Sequence, residues 1–456
     1  MHPAIQAQKE FFATGVTRDV GYRRGALQRL IARLAAREDA LLAALDEDVG
    51  KPSLEAYVSE VYFTRQEARF ALKHLRRWTR PRRVRPSVFS LPSRCEIRPE
   101  PYGQVLILGP WNYPFQLVMG PLVSAVAAGN CVVVKPSELA PATSAFLARF
   151  VLECFDPRHV TVLEGDAAVA QGLLAEPFDY VFYTGSTAIG REVMRACADR
   201  LVPVTLELGG KSPCLVDGSV DLDVAVRRIA RGKFFNAGQT CVAPDFVCVP
   251  QALLAPFCDR LLRTIRGFYG ANPRGSPDYA RIVSARHFDR LTALLPRGAE
   301  SVGEHDRARR FFAPTLVRNP AWTERLMQEE IFGPILPCLA YDDIGYVLAE
   351  IRRRPAPLAL YVFSTNDAFR ERCVREVPSG GVCLNDTMLH LTPLALPFGG
   401  VGDSGMGRYH GKHGFDTFTH ERSVMRRSPR FDFFGVLPPY GRVLERIKPF
   451  LGGRRR

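Results

Sequence analysis

Within residues 22–45 apolar side chains return every three to four positions. Leu27, Leu30, Ile31, Leu34, Leu41, Leu42 and Leu45 fall on one helical stripe, and 54–78 continues in the same manner. This period predicts packed helices for the first part of the chain. Between 79 and 93 the stripe stops, and Pro81, Pro86 and Pro92 among arginines predict an extended connection or arm. After Pro101 short apolar runs take over, at 104–108, 131–134, 160–163, 180–183 and 204–208, with spacers long enough for crossover helices. Strands buried on both faces lose their alternation, so these runs predict a parallel α/β sheet. A second α/β series begins near Lys211 and includes the strand-like runs 246–249 and 358–363. The longest apolar stretch, 117–134, is broken by Gly120, Pro121, Ser124, Gly129 and Asn130. It reads as a buried helix followed by a strand, not as a membrane span.

Composition adds limits. A chain of 456 residues, 46 % apolar and 24 % charged, is globular, and at about 100–200 residues per domain it holds two or three domains. The net charge of +14 comes from 61 basic against 47 acidic residues, with arginine scattered throughout. A nucleic-acid footprint needs a clustered patch with interleaved aromatics, so no nucleic-acid partner is expected. The eleven cysteines show no CxxC or Cys/His zinc spacing, which predicts a reducing compartment. No HExxH or EF-hand loop is present, and the nine histidines are scattered, with His390, His410 and His413 read as structural. No metal is expected. The N-terminus lacks the basic start and long apolar core of a signal peptide, so a cytoplasmic location is expected. The tail, RVLERIKPFLGGRRR, sets Val443, Leu444, Ile447, Phe450 and Leu451 on one face among arginines. Such a helix can lie on an anionic membrane, although docking against the protein body is the preferred reading.

Candidate chemistry centres on FFNAGQTCVAP, residues 234–244, which places Cys241 in a small-residue loop after an apolar helical run. A reactive cysteine is partly exposed and meets its substrate as thiolate, whereas a buried structural cysteine is inert. Upstream, VTLELGGKSP at 204–213 puts Glu207 at the end of a strand-like run and before two glycines. The segment 185–190, GSTAIG, follows another predicted strand and opens a helix. Glycines there admit a close backbone approach, and free N–H groups with the helix dipole favour a phosphate, although the spacing departs from GxGxxG.

QTCVAP, LELGGKSP, GPWNYP at 109–114, KPSE at 135–138, YTGSTAIG ending at Gly190 and EEIFGP at 329–334 occur in the order and spacing of the aldehyde dehydrogenase superfamily, which this chain resembles. LPFGGVGDSGMGRYHGKHGFDTF at 396–418 and PLALYVFS at 357–364 resemble its class 3 branch. The resemblance implies two Rossmann-type α/β domains with parallel or mixed sheets, and an oligomerisation arm. Residues 1–78 and 100–208 would bind NAD(P) and 209–392 would carry the nucleophile. Residues 79–99 with 393–430 would bridge subunits in a homodimer, followed by a basic tail at 431–456.

By the same resemblance Cys241 is the nucleophile, and Asn112 with the Cys241 backbone N–H receives the oxyanion. Glu207 activates the water that hydrolyses the thioester. Lys135, Glu138, Gly185, Ser186, Thr187, Gly190, Leu208, Gly209, Glu330 and Phe332 are the expected cofactor contacts, and Tyr113, Arg231, Phe235 and Thr240 the expected substrate tunnel. A glutamate at 138 suits a free 2′-hydroxyl and so NAD, with NADP also accepted. The implied activity is NAD(P)-dependent oxidation of medium- or long-chain aliphatic or aromatic aldehydes to acids. A CoA-acylating or acyl-reducing relative is one alternative, which Glu207 opposes; a non-catalytic NAD-binding protein is another. Class 3 sequences commonly carry tryptophan where this chain has Arg231. That arginine either snorkels to solvent, the preferred reading, or charges the tunnel wall and favours an aldehyde bearing a carboxylate.

Overall fold

The apolar stripe of the N-terminal segment is buried in the computed structural model, which describes residues 2–87, 90–430 and 438–451. Leu27, Leu30, Leu34, Leu41 and Leu45 have no exposed surface, while Ile31 and Leu42 are half-buried at its margin. The stripe belongs to two helices, Val20–Ala36 and Glu38–Val49, because Arg37 leaves helical geometry between them. The Asp19 carboxylate caps the first by accepting from the Tyr22 amide at 2.7 Å. The predicted helix at 54–78 is also composite: a turn at Ser53–Ala56, a π-helical turn at Tyr57–Tyr62, and the helix Phe63–Trp78.

Each short apolar run forms a strand within a residue or so of its expected bounds. The first sheet has six strands in the spatial order Gly405–Met406, Val204–Glu207, Tyr180–Thr184, Gln104–Leu108, Cys131–Lys135, Val160–Val162. All pairings are parallel except that of Gly405–Met406. The five parallel strands follow the doubly wound order 3-2-1-4-5 in chain sequence, so a ligand crevice opens where Gln104–Leu108 meets Tyr180–Thr184. Residues 117–134 are a wholly buried helix, Gln116–Ala128, followed by the strand Cys131–Lys135, as expected.

The second sheet has seven strands, ordered Glu300–Ser301, Thr315–Arg318, Ile335–Tyr341, Phe246–Pro250, Pro213–Val216, Ala359–Phe363, Gly381–Leu384. Only its first pair is antiparallel. A third, antiparallel sheet joins Arg82–Val84, Ser93–Pro101 and Thr419–Arg427. The arm expected at 79–93 thus contributes one short strand, and its main ladder is made by chain ends more than three hundred residues apart. No helix among the described residues is long and apolar enough to cross a membrane. The tail forms a helix, Val443–Leu451, on which Leu444 is exposed rather than docked. The side chains of Ile447, Phe450 and Leu451 lie outside the described residues.

Candidate active site

Cys241 sits where two cavities meet. A narrow one of about 230 Å³ is bounded by Asn112, Glu207, Gly209, Glu330 and Phe332, and a wide one of about 960 Å³ by Tyr113, Arg231, Phe235 and Thr240; Cys241 and Leu117 bound both. The cysteine is delivered by a tight turn after the helix Leu222–Phe234. Asn236 and Ala237 take left-handed φ values of 52° and 51°, strain that persists only where surrounding contacts over-determine it. Gly238 follows at φ +74°, and a Cβ there would lie 2.4 Å from the Gly333 carbonyl oxygen. Gln239 pins the turn: its amide donates to Arg281 O at 2.9 Å and accepts from the Val283 amide at 3.0 Å. Cys241 is half-buried. Burial, then the carboxylates of Glu330 and Glu207, push its thiol well above the ordinary range.

Glu207 ends the strand Val204–Glu207 and is 2 % exposed. Burial alone drives its carboxyl well above the usual range, and neither oxygen has a hydrogen-bond partner among the described residues. An orphaned buried carboxyl is costly unless another molecule completes it. Across the cavity, Glu330 is pushed up to about 8 by burial and by Asp245, against the pull of Lys211 and Arg290. Its segment is fixed by the Ile331 amide donating to Asp245 at 2.9 Å and by Arg290 donating to the Glu330 and Ile331 carbonyls at 3.2 and 2.5 Å. Phe332, at φ +47°, stands edge-on to Trp111 with centroids 5.3 Å apart. At Gly209 a Cβ would fall 2.1 Å from a Glu330 carboxylate oxygen, so a larger residue there would have to push that carboxylate aside.

Ser186 caps the helix Thr187–Ala198, and Gly185, Ser186, Leu208 and Gly209 line the narrow cavity. A Cβ at Gly185 would meet the Tyr183 hydroxyl at 2.2 Å, and one at Gly190 a Leu208 methyl at 2.7 Å. Together these groups form a backbone cradle at a helix N-terminus, which fits the phosphate and ribose of a dinucleotide. Thr187, Gly190, Lys135 and Glu138 line neither cavity. Thr187 donates to Asp403 O at 2.9 Å, and Lys135 pairs with the half-exposed Glu138 at 2.7 Å. Among the described residues no cluster of three or more His, Cys, Asp or Glu could hold a metal.

In the wide cavity the Tyr113 hydroxyl meets Thr240 Oγ1 at 2.6 Å. Arg231 lies at the edge of this cavity. Its side chain is 48 % exposed, yet it bounds the cavity and pairs with Asp386 at 2.8 Å. The rest of the wall is largely apolar, with Phe63 and Phe70 from the helix Phe63–Trp78 and Met388, Leu391 and Phe398 from after the second sheet. These residues, and Asp386, were not foreseen. Phe63 and Phe70 showed in the sequence only as part of a helical apolar stripe, which is what any core-facing helix shows, and Met388, Leu391 and Asp386 lie in a connecting segment with no periodic signal. Asn112 lies in the turn between Gln104–Leu108 and Gln116–Ala128, 4 % exposed, its side-chain amide donating to Gln239 O at 3.0 Å.

The chain belongs to the aldehyde dehydrogenase family, whose model matches residues 1–424, and it is an NAD(P)-dependent aldehyde dehydrogenase of the class 3 branch. It is 45 % identical over 97 % of its length to the 4,4'-diaponeurosporen-aldehyde dehydrogenase of Staphylococcus aureus (strain NCTC 8325 / PS 47), covering 97 % of that protein. It is 42 % identical over 94 % of its length to aldehyde dehydrogenase family 3 member A2 of Macaca fascicularis, covering 88 % of that protein. Among solved structures, the substrate-bound state of Staphylococcus aureus AldH matches with a TM-score of 0.96 at 44 % identity, over 98 % of both chains. An indole-3-acetaldehyde dehydrogenase in complex with NAD+ matches with a TM-score of 0.85 at 25 % identity, over 93 % of this chain and 88 % of that one.

Proposed function

We propose that Cys241, Asn112 and Glu207 carry the oxidation of apolar, medium- or long-chain or aromatic aldehydes held in the wide cavity. The observation that carries this reading is the placement of one half-buried cysteine between that apolar cavity and a narrow cleft holding an unpartnered buried carboxyl. A carbonyl carbon has no good hydride to give, so Cys241 first loses its proton to solvent and adds through sulfur as the thiolate, making a tetrahedral centre. The new oxyanion is received by an Asn112 amide N–H and by the Cys241 backbone N–H, donors worth about 3–4 kcal/mol each when preorganised. When bound in the narrow cavity, the nicotinamide supplies the hydride acceptor. The acyl group then rests on Sγ as a thioester. Glu207 takes a proton from water, the resulting hydroxide attacks the thioester, the C–S bond breaks and the acid leaves; a carboxyl whose pKa is raised by burial suits this general-base role.

Gly185, Ser186, Gly209, Glu330 and Phe332 would hold the nicotinamide half of the cofactor, with the helix start at Thr187 and the close-packed Gly190 supporting its phosphates. Lys135 and Glu138 would hold the adenosine ribose, and Glu138 would repel a 2′-phosphate, which supports NAD over NADP. We assign 1–78 with 100–208 to cofactor binding, 209–392 to catalysis, and 79–99 with 393–430 to pairing in a cytoplasmic homodimer. All eleven cysteines are unpaired, in keeping with a reducing compartment. The basic tail can add peripheral membrane contact, for which salt-sensitive liposome co-sedimentation lost on deleting 443–456 is the check.

The deciding experiment is NADH formation from a panel of aldehydes by wild type, Cys241→Ala and Glu207→Gln. Expected are turnover, no turnover, and one burst of NADH followed by a stall. Silence of the wild type with both NAD and NADP, or an active Cys241→Ala, refutes the assignment.

A further inference from the structure

Beneath the turn that carries Asn112 lies a wholly buried ion pair that the chemistry above does not use. Lys51 Nζ and a Glu60 carboxylate oxygen are 2.5 Å apart, and neither side chain has any exposed surface. Burying two charges costs several kcal/mol, and a well-packed apolar pair is often as stable or more so. Fold stability alone therefore explains the pair poorly, and its remaining contacts all go to one place. Lys51 donates to the Asn112 carbonyl at 2.9 Å, and its ammonium lies 4.1 Å from the centre of the Tyr113 ring. The second Glu60 oxygen accepts from the Phe115 amide at 3.1 Å and the Gln116 amide at 2.8 Å. The pair thus grips both ends of the turn 112–116.

A second, independent feature points the same way. Glu60 belongs to the π-helical turn Tyr57–Tyr62, set between a short helical turn and the helix Phe63–Trp78. A π-turn shifts the side chains that follow it around the helix axis, and such turns recur at functional sites. On the far side, Asn236 Nδ2 also donates to the Asn112 carbonyl at 2.9 Å, and the Asn236 amide donates to Glu55 at 2.8 Å. Tyr113 then reaches Thr240, the residue before the cysteine. The turns bearing Asn112 and Cys241 are therefore fixed to one another through the Asn112 peptide, with Lys51 and Glu60 as the anchor.

We infer that Lys51 and Glu60 are positioning residues for the oxyanion donor, holding the Asn112 side-chain amide where charge develops on the substrate oxygen. The inference rests on the role given to Asn112 above. Misplacing a donor by about 1 Å can cost on the order of 100-fold in rate, while binding of either reactant in its ground state stays the same.

The test is a double-mutant cycle of Lys51→Met with Asn112→Ala, following kcat, aldehyde KM, NADH affinity by fluorescence, and Tm. Asn112→Ala should lower kcat by about 100- to 1,000-fold. Lys51→Met should lower it by about 10- to 100-fold with KM and NADH affinity within about twofold, and should cost nothing further when Asn112 is already alanine. The clamp is overturned if Lys51→Met lowers only Tm, or slows the Asn112→Ala enzyme by the same factor as wild type. An Asn112→Ala enzyme with full kcat overturns the oxyanion role and the clamp together. If Lys51→Met does not fold, Glu60→Gln, of equal volume, carries the same expectations.

Discussion

Glu207 keeps its proton to a higher pH than a solvated glutamate because nothing but burial acts on it. Thioester hydrolysis should therefore rise with pH through that elevated value, while formation of the first NADH need not follow it; burst amplitude and steady-state rate measured across pH separate the two. The same burial fixes the sign of a stability effect. Above about pH 4.3, where the unfolded carboxyl has ionised, the native state still holds the proton, so stability falls as pH rises toward the folded pKa. Glu207→Gln should then melt higher than wild type at pH 8 and match it near pH 4. Gly209→Ala should fold but raise the apparent Kd for NADH about tenfold, since the added methyl occupies the place of the Glu330 carboxylate; fluorescence titration measures this. Arg231→Trp, which removes one of the two arginines paired with Asp386 and enlarges the apolar wall, should raise kcat/KM for long neutral aldehydes by about 3- to 10-fold and lower it for semialdehydes. An unchanged preference would sink a specificity role for that arginine.

At the level of elements, the helix Thr187–Ala198 depends on two small positions. Gly190 lets it pack against Leu208, and Ser186 caps it. Gly190→Leu should cost about 1–3 kcal/mol by overpacking and displace Leu208 from the narrow cavity, so Tm and NADH affinity fall together. These elements were legible in the sequence because each depends on its neighbours in the chain. A buried parallel strand is a short apolar run, and Cys241, Glu207 and Glu330 each sit in a contiguous motif. What was not legible depends on distance along the chain. Arg231 finds Asp386 across 155 positions, and Glu60 reaches Gln116 across 56. The period of a helix says which face is buried, but not whether that face meets a core or a cavity. Phe63 and Phe70 therefore read as ordinary core positions, and the break at Arg37 left no mark in the leucine spacing.

Across the whole molecule, the third sheet ends in the strand Thr419–Arg427, paired along nine residues to Ser93–Pro101 on one side, with no further strand beside it among the described residues and most of its side chains exposed. A strand at the edge of a sheet is a template for pairing with a second copy. Truncation after Phe418 should leave a monomer in light scattering where the full chain forms the proposed dimer, and a truncated dimer would refute the arm's role. A different consequence follows from the single cysteine that divides the two cavities. Since Cys241 and Leu117 bound both spaces, a fragment filling one does not compete with a fragment filling the other. Two weak ligands joined past the sulfur would therefore bind as one. Their affinity would be set by the effective concentration that the linker imposes, about millimolar for a short flexible one, and chemistry built for hydride transfer would become a scaffold for bivalent inhibition.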